Sequence, residues 1–215
     1  MKKILVSFIM LLSLQSAFAQ HETTVEEVAS PETDTAFYLN HQLIAILPFR
    51  TISPEIKYKK GAPREQVVSE ETVFSMQVQQ AFYNSITNDE KRWRVSVQDC
   101  RVTDSLLEKN DIDLQKVGFM DKRMLAALLK VDAVIVGQLE DFRIPGLATN
   151  MSGKKSAWIM SLYDGKTGDH IWAFRYGIRA KDLIGDFYRL NPDLYKAIRK
   201  NCPYTAKKTY HLTMY

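Results

Sequence analysis

The sequence has few of the residues from which most catalytic and metal sites are built. It contains two cysteines, Cys100 and Cys202, and four histidines. No histidine lies three to five positions from another or beside a cysteine, so the ligand spacing of a zinc site is absent. There is no Gly-x-Ser-x-Gly motif, and no serine has an evident His/Asp pair. We therefore expect no metal, no cofactor and no local catalytic motif, although triads also assemble from residues far apart in sequence.

Long hydrophobic runs are also missing once residues 1–19 are set aside. No later stretch reaches about 18 apolar residues, which predicts that no helix spans a membrane. Segment 1–19 itself holds two lysines, an apolar run over residues 4–14 and the triplet Ala17-Phe18-Ala19. These are the three parts of a secretory signal peptide, so we expect an exported chain that begins at Gln20. Because no cysteine lies at that point, we do not expect a lipoprotein.

Neither sign of charge dominates the chain. It has 29 Lys and Arg against 25 Asp and Glu, and removal of Lys2 and Lys3 with the signal peptide leaves 27 against 25. So small an excess gives no support to nucleic-acid binding. The charges are nevertheless uneven, because residues 20–35 carry acids without Lys or Arg and the segment from Arg175 onward is basic. The basic segment is either a solvated helix face and tail or a docking surface for an acidic partner.

In an exported protein the two cysteines can form a disulfide or remain free thiols, because disulfides persist outside the cytoplasm. If Cys100 and Cys202 pair, they close a loop of about 100 residues, for which the chain-entropy model gives about 4.7 kcal/mol. The alternative is two separate buried or reduced thiols. The sequence leaves both states open.

The stretch from Val131 to Trp172 organises the predicted fold. Residues 132–139 form an apolar run rich in β-branched side chains, which is typical of a strand buried on both faces. Residues 157–163 and 170–176 are predicted as a hairpin that follows this strand. The hairpin turn is predicted at Asp164, Gly165 and Gly168, because glycine adopts positive φ without strain.

The flanking segments alternate between strands and helices. We predict a strand over 42–49, a long polar loop over 50–66, a helix capped by Ser69 and a half-exposed strand over 93–97. Two further helices are predicted to be capped by Thr103 and Asp121, the second ending at Lys130. After the hairpin we predict two helices, over 182–190 and 193–200, separated by Asn191-Pro192.

These elements predict an α/β fold in a single domain, with a mixed β-sheet flanked by helices and a C-terminal hairpin followed by two helices. The predicted organisation is a signal peptide over 1–19, a flexible acidic leader over 20–40, the α/β domain over 41–200 and a basic tail over 201–215, which either docks on the domain or stays mobile.

Few side chains qualify as candidates for chemistry. Asp132, just before the central strand, is the one carboxylate that we consider as a candidate for catalysis. A role as a turn or cap residue explains its position more simply. His170 is most simply an exposed strand residue. Trp158, Trp172 and Tyr176 could line an aromatic cleft, but as inward-facing strand residues they are expected in the core.

Three short stretches together resemble a known family. They are Ala-Ile-Leu-Pro-Phe (45–49), Leu-Lys-Val-Asp-Ala-Val-Ile-Val-Gly (129–137) and Leu-Tyr-Asp-Gly-Lys-Thr-Gly-Asp-His-Ile-Trp (162–172). Over about residues 42–176 the chain resembles the bacterial envelope domains grouped around the curli-secretion lipoprotein CsgG, the penicillin-binding-protein activator LpoB and the N-terminal domain of TolB. The resemblance implies an α/β domain that acts in envelope assembly, secretion or activation of a partner, without catalysis. Strands long enough for membrane hairpins are lacking, so a pore is not expected.

The expected function is that of an exported, non-catalytic envelope protein that binds a partner protein. Its expected location is the periplasm or the outer-membrane periphery of a Gram-negative-type bacterium, and a homo-oligomer is compatible with the sequence. The expected contact regions are the loops 50–66 and 143–155 and the basic C-terminal segment. The alternatives are a periplasmic hydrolase or transferase with a dispersed active site, and a small-ligand or glycan-binding domain.

Overall fold

The computed structural model describes residues 40–52, 64–114, 116–140, 156–179 and 182–205, together with the backbone of residues 25–26. The described strands are β1 (Val25–Glu26), β2 (Leu43–Ile46), β3 (Arg50–Ile52), β4 (Ser96–Val97), β5 (Ala133–Glu140), β6 (Ser156–Asp164) and β7 (His170–Ile178). The described α-helices are α1 (Arg64–Thr87), α2 (Cys100–Lys109), α3 (Lys122–Leu129) and α4 (Pro192–Asn201). The predicted α/β fold class with a mixed sheet is confirmed.

The strands form one sheet in the order β1-β7-β6-β5-β2-β4, with β3 also paired to β5. The pairs β2–β4, β2–β5 and β3–β5 are parallel, whereas β5–β6, β6–β7 and β1–β7 are antiparallel. Strands β2 and β3 occupy successive stretches of the same edge of β5, because β2 pairs with Ala133 to Ile135 and β3 pairs with Gln138 to Glu140. The apolar run predicted as the central strand therefore lies in the interior of the sheet.

Helices cover the sheet on both faces, and each face has its own hydrophobic core. The larger core packs α1 and α4 against Phe49, Trp158 and Phe174, while the smaller core packs α2 and α3 against Ala45, Leu47 and Val134. Since successive strand residues point to opposite faces, Val134 belongs to one core and its neighbours Ala133 and Ile135 belong to the other.

Glycine is required where the larger core meets β5. A Cβ atom on Gly137 would lie 2.0 Å from Cε1 of Phe49, which is a severe overlap. The Phe49 ring in turn packs on Trp158, with the ring centroids 4.4 Å apart. Absence of a side chain at Gly137 therefore lets the aromatic cluster lie directly on the central strand.

The helix starts follow local capping chemistry, which the sequence shows only in part. Asp121 caps α3 as predicted, since its carboxylate accepts from the backbone N–H groups of Arg123 and Met124, and Lys130 ends the helix with φ 58°. The predicted cap Thr103 is wrong, because Asp99 caps α2 and Thr103 is buried inside it. The first helix begins at Arg64 instead of Ser69.

The predicted helix over residues 182–190 is wrong. Within this segment Ile184 pairs with Leu190 in an isolated β-bridge, and between them residues Asp186–Tyr188 make a single 3-10 turn. The adjacent residues Phe187 and Tyr188 have φ values of 57° and 51°, a left-handed conformation that an α-helix cannot contain.

Both ends of the predicted domain carry additional structure. In the leader, Val25 and Glu26 pair with Tyr176 and Arg175 of β7, and residues 20–24 and 27–39 lie outside the described residues. In the tail, Thr205 pairs with Trp93, and residues 206–215 lie outside the described residues. The tail is therefore docked on the domain as far as Thr205.

Candidate functional site

The predicted hairpin turn is built around Asp164. Its Oδ1 accepts hydrogen bonds from the backbone N–H groups of Lys166 at 2.8 Å and Thr167 at 2.5 Å, while Gly168 has φ 80°. A Cβ atom on Gly165 would approach the carbonyl oxygen of Asp132 to 2.6 Å. The Asp164 side chain thus accepts the hydrogen bonds that a backbone carbonyl would otherwise accept in the turn. Gly165 and Gly168 could not be replaced by another residue without strain.

Asp132 has a structural role in the same region. Its Oδ2 accepts from the backbone N–H groups of Gln42 at 2.8 Å and Leu43 at 2.9 Å. Its own N–H donates to the carbonyl of Leu43 at 2.8 Å, so one residue joins the starts of β2 and β5. These contacts support the interpretation of Asp132 as a turn residue.

The other sequence candidates lie mostly in the interior. Trp158, Trp172 and Tyr176 are buried in the larger core, which confirms their expected core role and excludes them from an open cleft. His170 is half-buried, its ring packs on Tyr163 at a centroid distance of 5.1 Å, and burial lowers its pKa.

Cys100 and Cys202 are free, buried thiols, the second of the two alternatives that the sequence leaves open. Cys100 begins α2, and its Sγ donates to the carbonyl of Gln79 at 3.9 Å. Burial raises the pKa of the Cys100 thiol well above its usual range and raises the pKa of the Cys202 thiol to about 12. Both sulfurs are therefore protonated and unreactive in the folded protein.

A histidine that is not among the sequence candidates joins three distant segments. The Nε2 atom of His41 lies 2.8 Å from Oδ2 of Asp164, and its Nδ1 atom lies 2.5 Å from the hydroxyl of Tyr204. Burial favours a higher pKa for Asp164, but hydrogen bonds from Thr167, His41 and Lys166 outweigh burial and hold the pKa below its usual value. The Asp164 carboxylate therefore accepts from Nε2–H of His41, and the Tyr204 hydroxyl is the partner of Nδ1.

The His41–Asp164–Tyr204 cluster is largely shielded from solvent. The side chains of His41 and Asp164 are 8% and 2% exposed, and Tyr204 belongs to the buried core. Both imidazole nitrogens of His41 have protein partners. The cluster connects the residues before β2, the hairpin turn and the C-terminal segment.

The surface feature that stands out is the aromatic loop, residues 184–190. Phe187 and Tyr188 at its tip are 82% and 76% exposed. Both have positive φ, which costs a residue with a side chain about 1–3 kcal/mol. Two consecutive, strained aromatic residues presented to water are unusual, since aromatic rings normally contribute burial.

Hydrogen bonds to α1 hold the aromatic loop in this conformation. The side-chain amide of Asn84 donates to the carbonyl of Tyr188 at 3.0 Å, and the backbone N–H of Leu190 donates to Oγ of Ser85 at 2.9 Å. The Arg189 guanidinium donates to the Asn88 side chain at 2.8 Å. The loop is therefore fixed at its base while its two rings project outward.

A groove of about 410 Å³ runs beside the loop and is lined by Gln77, Gln80, Asn84, Arg101 and Tyr188. Its floor is the outward face of α1, and this helix has no charged side chain from Thr72 to Thr87. The guanidinium of Arg101 is paired with Asp99 at 2.6 Å. The groove is thus electrically neutral, although a quarter of the residues in the chain are charged.

The sequence contains a signal for the aromatic loop that the helix prediction over residues 182–190 left unused. Phe187 and Tyr188 are adjacent aromatic residues in a segment that also contains Gly185. Gly185 and Asn191-Pro192 bracket them with residues typical of turns.

No helix within the described residues has the length and hydrophobicity to cross a membrane. The same residues contain no group of three or more His, Cys, Asp or Glu side chains that could bind a metal ion.

No protein-family model matches the chain, and no curated protein matches it. Among solved structures, the chain is similar to a lipoprotein of Neisseria meningitidis, with 14% identity, a TM-score of 0.42 and coverage of 64% of this chain and 79% of that chain. It is also similar to LpoB of E. coli (10% identity, TM-score 0.39, coverage 71% and 74%) and to the PelC dodecamer of Paraburkholderia phytofirmans (12% identity, TM-score 0.38, coverage 86% and 99%). LpoB is one of the proteins that the sequence resembles, whereas the resemblance to CsgG and TolB stays a prediction. Because each TM-score is below 0.5, the function proposed below rests on the residues of this chain.

Proposed function

We propose that the protein is an exported, non-catalytic envelope protein that binds a partner protein through the aromatic loop. The observation that carries this proposal is the exposure of Phe187 and Tyr188 at a strained backbone that α1 holds in place. Export is supported by the signal-peptide pattern of residues 1–19. The absence of a lipid anchor and the periplasmic location remain predictions from the sequence.

The energetics favour a contact role for the loop. Aromatic side chains contribute much of the binding energy at protein interfaces, because they bury a large area with few rotatable bonds. A loop that is already fixed by hydrogen bonds loses little entropy when a partner binds, so more of the contact energy appears as affinity. Backbone strain at Phe187 and Tyr188 persists because their neighbours hold it, which fits a conformation selected for presentation of the rings.

The alternative of a hydrolase or transferase has one observation in its favour, the contact between His41 and Asp164. A histidine paired with a carboxylate is part of many proton-transfer sites. Here, however, Tyr204 occupies the second imidazole nitrogen and all three side chains are enclosed. The closed geometry favours a structural role over catalysis.

The partner contact can be tested by photo-cross-linking in intact cells. A photoreactive phenylalanine analogue at position 187 should give a discrete protein adduct, while the same analogue at position 119 should not. Phe119 is a matched control, since it is an aromatic residue with 67% exposure and lies outside the aromatic loop. A second, unlabelled substitution, Tyr188→Ala, should reduce the adduct from position 187 without change in protein abundance. Adducts of equal yield from both positions, or none from position 187, would contradict the proposal.

A further inference from the structure

Three arginine side chains meet at the two residues that follow α1. The Arg189 guanidinium donates to Oδ1 of Asn88 at 2.8 Å. In the next residue, Asp89, Oδ2 lies 2.7 Å from Nη1 of Arg199 and Oδ1 lies 3.2 Å from Nε of Arg92. We call Arg92, Arg189 and Arg199 the arginine cluster. Its members come from three separate segments of the chain and lie together at one end of α1.

The arginine cluster has more positive than negative charge. Asp89 is the carboxylate that pairs with it among the described residues, so three guanidinium groups share one acid. The surrounding segments 88–92, 186–189 and 193–200 hold six Lys and Arg against four Asp and Glu, so the neighbouring charges do not cancel the excess. A ligand at this surface therefore meets positive charge that the protein itself leaves uncompensated.

The arginine side chains are held in place but keep most of their hydrogen-bond donors. A guanidinium group has five N–H donors in a planar arrangement, and the contacts with Asn88 and Asp89 use one donor of each arginine. The side chains of Arg92 and Arg199 are 48% and 28% exposed, and Arg189 is also exposed. Because the contacts fix the guanidinium groups before a ligand arrives, less side-chain entropy is lost on binding.

Carboxylates match this arrangement of donors. A guanidinium group binds a carboxylate through two parallel N–H···O bonds, and such charge-assisted bonds are stronger than those between neutral groups. Aspartate and glutamate side chains of a protein present carboxylates at the spacing of a peptide chain. Phosphate groups satisfy the same donors, so they are the competing ligand in the test.

The position of the arginine cluster favours a protein as the source of the carboxylates. Arg189 belongs to the aromatic loop, and its Cζ atom lies 5.7 Å from the centre of the Phe187 ring. A protein that covers Phe187 therefore also meets the Arg189 guanidinium. The cluster thus continues the surface to which the partner contact is assigned.

We propose that the arginine cluster binds an acidic segment of the partner protein, with aspartate or glutamate carboxylates held by the guanidinium groups of Arg92, Arg189 and Arg199. This inference rests on the proposed function and adds the chemistry of the partner. The partner then has an apolar site for the Phe187 ring and, beside it, a stretch of acidic residues.

The test is an NMR titration of the full chain with a decaglutamate peptide at low ionic strength, because salt screens exposed charges. The side-chain Nε–H signals of the arginine cluster should shift and saturate. Arg92→Gln combined with Arg189→Gln should weaken binding by about tenfold, since it removes two charged contacts that are partly exposed to water. Arg199 still pairs with Asp89 in this variant, so the fold should be preserved.

Arg101→Gln combined with Arg123→Gln is the matched control. It also removes two exposed arginines, each paired with an aspartate, at 2.6 Å from Asp99 and 3.1 Å from Asp121. Because neither belongs to the arginine cluster, the affinity for decaglutamate should stay unchanged. Equal weakening by the two double variants would mean that binding follows net charge alone, which overturns the inference.

The remaining outcomes separate an acidic protein segment from a phosphate ligand. Absence of saturable shifts with decaglutamate overturns the inference. Inorganic phosphate and phosphatidylglycerol vesicles are the competing probes. If either binds the arginine cluster more tightly than decaglutamate does, the ligand is a phosphate group and the inference is again overturned.

The photo-cross-link from position 187 separates this inference from the proposed function. Arg92→Gln combined with Arg189→Gln should lower the yield of that cross-link. An unchanged yield would show that the partner does not use the arginine cluster, which overturns the inference while the proposed function stands. Decaglutamate binding at the cluster without any cross-link from position 187 would contradict only the proposed function.

Discussion

His41 and Asp164 are 123 positions apart in the sequence and form a hydrogen bond of 2.8 Å between Nε2 and Oδ2. Tyr204 completes the contact from the C-terminal segment. This buried connection joins parts of the chain that no local pattern relates, so it should contribute substantially to stability.

Replacement of His41 with alanine should therefore destabilise the fold by about 3 kcal/mol, because it leaves a buried carboxylate and a buried hydroxyl without their partner. Urea denaturation followed by far-UV circular dichroism measures the difference. Tyr204→Phe removes only the hydroxyl and should cost about 1 kcal/mol. Equal stability of His41→Ala and the wild type would show that the cluster contributes nothing to the fold.

The depressed pKa of Asp164 predicts a defined pH dependence. Its folded-state pKa lies below the unfolded value of about 3.9, so the unfolded chain binds more protons between these two values and stability rises with pH there. The stabilisation is present above the unfolded pKa and is lost as pH falls through the folded pKa. Denaturation at a series of pH values below about 5 should therefore show a steeper loss of stability for the wild type than for Asp164→Asn.

Asp121→Asn is the control for this pH experiment. The pKa of Asp121 is also lowered, first by a hydrogen bond from Arg123, but the carboxylate is at the surface. Solvent screening reduces the effect of such exposed pairs, so Asp121→Asn should retain most of the acid sensitivity. If stability depends on pH equally steeply in Asp164→Asn and in the wild type, Asp164 does not have this role.

The two cysteines should be inaccessible to thiol reagents in the folded protein. Both are buried, and burial disfavours the reactive thiolate. Iodoacetamide without reductant should add no label under native conditions and two labels in denaturant, as read by intact mass. Absence of label in denaturant, followed by two labels after reduction, would mean that the cysteines form a disulfide in solution.

Replacement of Phe187 with glycine should stabilise the protein by about 0.5–1 kcal/mol while it removes the partner contact. Glycine adopts the φ of 57° without strain, and the exposed ring contributes little burial that could be lost. Phe187→Ala removes the same ring but keeps the positive φ on a residue with a side chain, so it should not show this gain in stability. Thermal unfolding of the two variants gives the comparison, and a lower stability of Phe187→Gly than of Phe187→Ala would contradict it.

The elements that could be predicted well from the sequence are those with a strong local pattern. The β-branched run of β5 and the Asp-Gly-rich turn at Asp164 are determined by neighbours within a few residues, and so is the Asp121 cap. The aromatic loop is not predicted, because the helix predicted over residues 182–190 rests on local preference alone. Contacts with Asn84, Ser85 and Asn88 on α1 override that local preference.

The buried cluster and the groove could not be predicted from spacing. His41 has no titratable neighbour in sequence that suggests its partners, which lie at the end of β6 and in the C-terminal segment. The groove similarly requires Arg101 and Tyr188 to meet α1 from two other segments. The uncharged stretch from Thr72 to Thr87, by contrast, is visible in the sequence and indicates which helix face to consider.

The free state of Cys100 and Cys202 has a practical consequence for production of the protein. A fold without a covalent cross-link does not require an oxidising cell compartment or an isomerase to reach its native state. A chain that begins at Gln20 should therefore fold in the reducing cytoplasm of an expression host, without redox additives during purification.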